Sequence, residues 1–324
     1  MSETSTARAL GYIQGLVLRI GRANCTNLVK RVGGSHDRFT KLLNTAGIDW
    51  ATILMRAMFR IFGSIEGGYL IVDETTINKS FAKIIEGCSW VWSSKEGRHV
   101  FGYHVTLLLW SNGLRTIPLA IRVYQKATEK KNQITSIDLA IELLDYAKNT
   151  LEIKPALVLM DGFYSADKVL KCLHGWEWKY VMRVKKNRAL NGTKISAIYR
   201  HPYWETSGVL SCSLAVRIIR HGKRYFVTND LTTDKKTILE RYGDRWNIEE
   251  VFRVLHSELG LDECESRSRS AQTAHFYLAL IGYGVLESEK TRTEYATHYS
   301  LIEKCRGETS FVILSSWTGL FTGA

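Results

Sequence analysis

Two short apolar runs, each stopping at an aspartate, constrain this chain more than any other feature. Tyr69-Leu70-Ile71-Val72 ends in Asp73, and Ala156 to Met160 ends in Asp161. Runs of this length, preceded by Gly67-Gly68 in one case and by Pro155 in the other, predict buried strands. Between them, Val100 to Trp110 and Leu114 to Tyr124 are β-rich and flank Ser111-Asn112-Gly113, a hairpin-turn signal. Ile134 to Tyr146 has apolar residues at 134, 137, 141 and 144, the spacing of an amphipathic helix. The pattern predicts three antiparallel strands, then a crossover helix feeding a new strand beside the first. An ionised carboxylate at the end of a buried strand is costly unless something compensates it. One such aspartate is commonly a turn cap, whereas two point to a metal ion or a functional cleft.

A third carboxylate comes from the segment Tyr242 to His256, within a helix predicted from Asp234 to about Leu259. At about 100° per residue, Tyr242, Arg245, Glu249 and His256 share one arc beside an apolar stripe of Ile248, Phe252, Leu255 and Leu259. Glu249 therefore borders the buried face. Glu250 rotates away towards solvent or a supporting ion pair. Taken alone, Arg245 and Glu249 read as an ordinary i,i+4 ion pair, and it is the two strand-end aspartates that turn the reading towards a site.

Charge narrows the choice of partner. The chain has 44 Lys+Arg against 32 Asp+Glu, a net +12, which suits a polyanion. Lys179 to Lys236 alone holds thirteen Lys/Arg and three Asp/Glu, interleaved with Tyr180, Tyr199, Tyr203, Trp204, Tyr225 and Phe226. A solvated face is the plain alternative, but aromatics among cations suit a groove that pairs with phosphates and stacks on bases. Residues 1–66 read as helices with cations at Arg19, Arg22, Lys30, Arg31, Arg38 and Lys41, and with Asp49 placed to cap one of them. They form either a DNA-binding head or a helical cap. Six cysteines without a C-x-x-C pair indicate neither a zinc site nor a disulfide framework, and hence a reducing compartment. No 18-residue apolar run or signal peptide is evident, although Phe311–Leu314 and Trp317–Phe321 make a short apolar tail.

The ordered set Val72-Asp73-Glu74-Thr75, Met160-Asp161-Gly162-Phe163-Tyr164-Ser165, and Tyr242, Arg245, Glu249 and His256 resembles the bacterial insertion-sequence DDE transposases that carry a Y-R-E-K signature. His36-Asp37-Arg38-Phe39 and Tyr225-Phe226-Val227-Thr228-Asn229 extend the resemblance, which spans roughly residues 36–290. Two positions depart from it: His256 stands where the family usually has Lys, and no basic residue directly follows Asp161.

The resemblance implies an α/β fold: an RNase H-like mixed sheet flanked by helices, with a β-rich insertion and an N-terminal helical module. The implied divisions are 1–66 (helical, DNA-binding), 67–184 with 235–290 (catalytic), 185–234 (basic insertion) and 291–324 (tail). Asp73, Asp161 and Glu249 become the catalytic triad and metal ligands for Mg²⁺, with Mn²⁺ as a substitute. Tyr242, Arg245 and His256 become supporting or phosphate-contacting residues. Lys185, Lys186, Arg188 and Arg253 become DNA contacts, and Trp204 a stacking platform in the insertion. Carboxylates alone can hold two hard divalent ions, which is consistent with the lack of a His/Cys cluster. The implied activity is metal-dependent cleavage of insertion-sequence ends and strand transfer into target DNA. It entails binding of terminal inverted repeats, a dimer in the synaptic complex, a cytoplasmic, nucleoid-associated location and no membrane. An RNase H-like nuclease without strand transfer and a catalytically weak, transposon-derived DNA-binding protein remain the alternatives.

Overall fold

A computed structural model of the chain describes residues 2–126, 133–293 and 295–307. The apolar tail segments at 311–314 and 317–321 lie outside the described residues. The chain begins with four helices, α1 (Glu3–Leu18), α2 (Cys25–Val32), α3 (Asp37–Leu43) and α4 (Trp50–Phe62). Asp49 caps α4 as its position predicts, accepting hydrogen bonds from the Thr52 backbone N–H at 3.0 Å and the Thr52 hydroxyl at 2.7 Å.

The sheet begins with β1 (Tyr69–Asn78), β2 (Ser89–Ser93), β3 (Arg98–Ser111) and β4 (Thr116–Val123). Asn112 closes the β3–β4 turn by accepting from the backbone N–H groups of Leu114 and Arg115, and Gly113 supplies the positive φ of +87°. The crossover helix α5 (Ser136–Asn149) starts at a reciprocal capping box between Thr135 and Asp138. It leads to β5 (Leu157–Met160), which pairs parallel with β1, and α6 (Asp167–Gly175) then leads to β6 (Tyr180–Arg183), parallel with β5.

Residues 185–234 contain a small hairpin, β7 (Ala189–Leu190) with β8 (Thr193–Lys194), one helical turn, α7 (Ile195–Ile198), and the meander β9 (Tyr203–Val209), β10 (Ala215–His221) and β11 (Arg224–Thr228). β11 pairs antiparallel with β6, so the basic meander continues the main sheet. Among the described residues the sheet has nine strands in the order β2-β3-β1-β5-β6-β11-β10-β9, with β4 on the outer edge of β3.

Two expectations from the sequence are corrected. β1 does not stop at Asp73 but runs on to Asn78, because β3 supplies an antiparallel partner for its whole length. The helix expected from 234 to 259 is broken into α8 (Lys235–Gly243), a 3-10 turn (Asp244–Trp246) and α9 (Asn247–Ser257).

The chain then enters α10 (Arg269–Thr293), which is buried almost all round between Ala271 and Leu286, the pattern of a core helix. It packs against α1, α4 and β4, and α11 (His298–Gly307) lies against it. Tyr12 of α1, Leu54 and Met58 of α4, Ile71 of β1 and Phe276 of α10 belong to one continuous apolar core. The N-terminal helices are thus seated on the helical layer that covers the sheet.

Candidate active site

The parallel ladder between β1 and β5 ends with Val72 opposite Met160, so the next residue on each strand is an aspartate. Asp73 remains inside β1, facing Leu107 of β3. Asp161 leaves β5 and caps the 3-10 turn Gly162–Tyr164, accepting from the Gly162 backbone N–H. The ladder thus sets two carboxylates side by side.

Asp73 is nearly enclosed, with its side chain 14% exposed. Its Oδ1 accepts from the Glu74 backbone N–H at 2.9 Å, and its Oδ2 accepts from Arg245 Nη1 at 2.7 Å. Burial pushes its carboxyl up to about 7; the Arg245 guanidinium pulls it down, while Asp161 and Glu249 push it further up. The three carboxylates therefore share one field. Arg245 reaches Asp73 from the 3-10 turn and places Nη2 3.6 Å from Glu249 Oε1 in the first turn of α9. The Glu249 side chain is 40% exposed and the Arg245 side chain 12%. Glu249 therefore hangs at the mouth of the site. Tyr242 packs edge-on against Phe226, and its hydroxyl lies 3.5 Å from the Met160 carbonyl. Burial pushes its phenol up to about 12, so it serves as a neutral donor at ordinary pH.

The break at 244–246 means that one straight-helix arc does not relate these residues, yet Tyr242, Arg245 and Glu249 still converge on the aspartate pair. His256, farther along α9, meets Thr75 of β1, with 3.0 Å between Nε2 and Oγ1, and Asp262, with 2.8 Å between Nδ1 and Oδ2. Both ring nitrogens are engaged within the protein. Glu250 pairs with Arg253 at 2.7 Å; the Arg253 side chain is open to solvent and that of Glu250 is half-buried, so the outward turn expected of Glu250 is partial.

The arrangement fits a divalent cation by the chemistry of its donors. All are carboxylate oxygens, and Asp73 already binds a cationic group in the Arg245 guanidinium. Among the described residues, no three His, Cys, Asp or Glu side chains close into a metal cage.

On the opposite face of β1, Glu74 meets groups that sequence reasoning missed. Its Oε2 accepts from the Tyr164 hydroxyl at 3.1 Å and lies 3.0 Å from His104 Nε2. Glu74 follows Asp73, and Tyr164 closes the turn that Asp161 caps, so this contact ties the two aspartate-bearing segments together from behind. Strand alternation alone would have sent Glu74 to that face. The exposed Arg183 at the end of β6 was also missed; its charge acts on Tyr242.

Of the residues expected to face DNA, Lys185 and Lys186 are exposed. Two others are corrected. Arg188 donates to the Ser165 carbonyl and pairs with Asp167, so its guanidinium is committed within the fold. Trp204 is 9% exposed and lies edge-on to Tyr199 and Tyr225, inside the insertion rather than on an open platform. Arg19, which follows α1 as its C-cap, is likewise structural, donating to Glu263 and to the carbonyls of Ser257 and Glu258.

The mixed sheet flanked by helices is an RNase H-like fold. A family model described as a transposase DDE domain matches residues 67–284, and the chain belongs to that family. No curated protein matches the chain. Among solved structures, a cryo-EM structure of the piggyBac transposase synaptic complex with hairpin DNA shares the fold. The TM-score is 0.60 over 98% of this chain and 73% of that one, at 9% identity. Among the described residues no helix is long and apolar enough to cross a membrane.

Proposed function

We propose that this transposase performs cut-and-paste transposition of a bacterial insertion sequence of the Y-R-E-K group, with Asp73, Asp161 and Glu249 as its catalytic carboxylates. The observation that carries the reading is the β1–β5 register, which ends one residue before both aspartates while Arg245 bridges from Asp73 towards Glu249. Asp73, Asp161 and Glu249 would hold Mg²⁺, or Mn²⁺ in its place. Bound there, the ions supply activation of water or a 3′-hydroxyl and neutralise charge on the phosphodiester under attack. Arg245 is suited to release Asp73 and clamp a phosphate in two-point fashion. Tyr242 holds the β5 end and keeps its proton to donate to a phosphate oxygen. The exposed Lys185 and Lys186, with Arg253 at the rim, neutralise backbone phosphates of the inverted repeat and target DNA. Arg22, Lys30, Arg31 and Lys41, exposed on α2, α3 and their approaches, let residues 1–66 serve as the end-binding module. Two copies pair the ends in a synaptic complex.

The test is cleavage of end-containing DNA by Asp73→Asn, Asp161→Asn, Glu249→Gln and the control Glu250→Gln. The three triad variants are expected to bind the end with near wild-type affinity and to lose cleavage and strand transfer. Glu250→Gln should cut normally. Wild-type cleavage by any triad variant would remove that residue from the site, and cleavage without joining would reduce the protein to a nuclease.

A further inference from the structure

Thr75 is two residues beyond Asp73 on β1, and side chains alternate along a strand, so Thr75 belongs to the face that carries Asp73. α9 packs against β1. Glu249 and His256 stand seven residues apart in α9, within about 20° of two full turns, so they share one side of the helix about 10 Å apart. The 3-10 turn and α9 are thus joined to β1 at two polar points, Arg245 to Asp73 near one end and His256 to Thr75 near the other. Among the described residues, no other hydrogen bond or ion pair joins residues 244–257 to β1.

The His256 imidazole is held at both nitrogens. Asp262 Oδ2, 2.8 Å from Nδ1, accepts as a carboxylate, so Nδ1 carries the hydrogen and Nε2 of the neutral ring accepts from the Thr75 hydroxyl at 3.0 Å. The side chain is 19% exposed, and with both nitrogens engaged it leaves no donor for a DNA phosphate. Asp262 is itself tied down. It lies in the link between α9 and α10, and its backbone carbonyl accepts at 2.6 Å from Nζ of Lys79, the residue that follows β1. Lys79 is fully buried and also donates to the Cys264 carbonyl at 2.9 Å. Thr75, His256, Asp262 and Lys79 therefore close a bracket that leaves β1 within the strand and returns to it just past its end.

The two ties differ in what they do when the site is loaded. Arg245 occupies Asp73 Oδ2, an oxygen that a divalent ion also needs, whereas the bracket touches none of Asp73, Asp161 and Glu249. We propose that His256, oriented by Asp262, is a positioning residue: through Thr75 it fixes α9 on β1 and keeps Glu249 within reach of the aspartate pair when Arg245 turns from Asp73 to a phosphate. The proposal rests on the reading of Asp73, Asp161 and Glu249 as metal-holding carboxylates.

Mn²⁺ binding by the full chain, read from the paramagnetic resonance of the free ion, and Mg²⁺-dependent cleavage at saturating end DNA are compared for wild type, Thr75→Val, Thr75→Ser, Thr76→Val, His256→Leu and the Thr75→Val/His256→Leu pair. Thr75→Val is expected to lower Mn²⁺ affinity at least about fivefold and the cleavage rate at least about tenfold, with end-DNA affinity within about twofold of wild type. Thr75→Ser restores the hydroxyl and should recover both to within about twofold, and the pair should lose no more than the worse single variant, because one bond is removed either way. Thr76→Val removes a hydroxyl from the other face of β1 and should leave both readouts unchanged. Wild-type Mn²⁺ affinity and cleavage in Thr75→Val would overturn the proposal, as would equal losses in Thr76→Val, which would mean a general effect on the strand. Weaker end-DNA binding in His256→Leu with Thr75→Val silent would make His256 a phosphate contact instead. Failure of the transposase reading shows separately, as the same pattern of Mn²⁺ affinities in a chain that neither cuts nor joins end DNA; a wild-type chain that neither bound Mn²⁺ nor cut would overturn both.

Discussion

At the scale of single residues, this protein keeps several polar groups in its interior, each with a defined partner. His275 of α10 is fully buried; its Nε2 lies 3.0 Å from the Gly260 carbonyl and its Nδ1 2.9 Å from the Tyr12 hydroxyl. A carbonyl can only accept, so Nε2 carries the proton and Nδ1 accepts from Tyr12. Burial pulls the imidazole down to about 3, and the ring is neutral in the fold. The unfolded chain binds a proton there near pH 6.5. The unfolded state thus holds more protons between those values, so stability is full above about pH 6.5 and declines as pH falls towards 3. We expect this residue to contribute a slope of about 1.4 kcal/mol per pH unit in that window. Urea unfolding of wild type and His275→Gln from pH 7 to 4 checks it: the variant should start less stable and show the shallower acid decline, and parallel curves would contradict the assignment. The half-buried Glu74–Tyr164 contact likewise gives a polar group a defined partner, here tying the segments that carry Asp73 and Asp161 together.

At the scale of elements, the critical joint is where β3 passes from β1 to β2. Gly102 is opposite Asn78 on one side and Ser89 on the other, and a Cβ there would lie 2.1 Å from the Ile77 carbonyl oxygen. Backbone cannot yield as a side-chain tip can, so Gly102→Ala must push β1 away from β3 at the joint where β3 passes from β1 to β2. The expected cost is about 1–3 kcal/mol, read from the urea midpoint. Gly175→Ala at the end of α6 is the control, since nothing lies within 4 Å of its added methyl and no positive φ is recorded there; it should be near neutral. Equal stability of the two variants would mean that the β1–β3 approach is looser than the register indicates.

At the scale of the whole molecule, positive charge and sheet edge are arranged on one continuous scaffold. The basic meander is the far end of the same sheet that carries Asp73 and Asp161, so its cations are held in a fixed relation to the aspartates. Replacing Lys185 and Lys186 together by Gln should flatten the dependence of log K on log salt by about 2 units if each meets one phosphate, at about 0.9 per contact. Fluorescence titrations of end DNA between low and moderate salt provide the measurement, and an unchanged slope would return the pair to the solvated surface. Arg188 is left out of the set because Asp167 already holds it.

Much of this arrangement was legible in the residues themselves. The apolar runs ending in Asp73 and Asp161, the Asn112-Gly113 turn, the capping residue Asp49 and the helical spacing around Glu249 are local patterns, and local sterics and hydrogen bonding decide them. The sequence by itself therefore determined the main strands β1, β3, β4 and β5 with their crossover helix, and it singled out three carboxylates that the fold brings near one another, but it showed neither β2 nor the break at 244–246. What it could not determine depends on partners distant in the chain. β1 runs past Asp73 because β3 pairs with it. Arg188 turns inward because Asp167 and the Ser165 carbonyl meet it, and Trp204 is buried because Tyr199 and Tyr225 enclose it. Glu74 gains its role from Tyr164 and His104 on other elements. Only the tertiary structure decided these, because a strand's length, a cation's partner and a ring's exposure are set by which surfaces come together, and a linear pattern records a residue's chemistry without its neighbours.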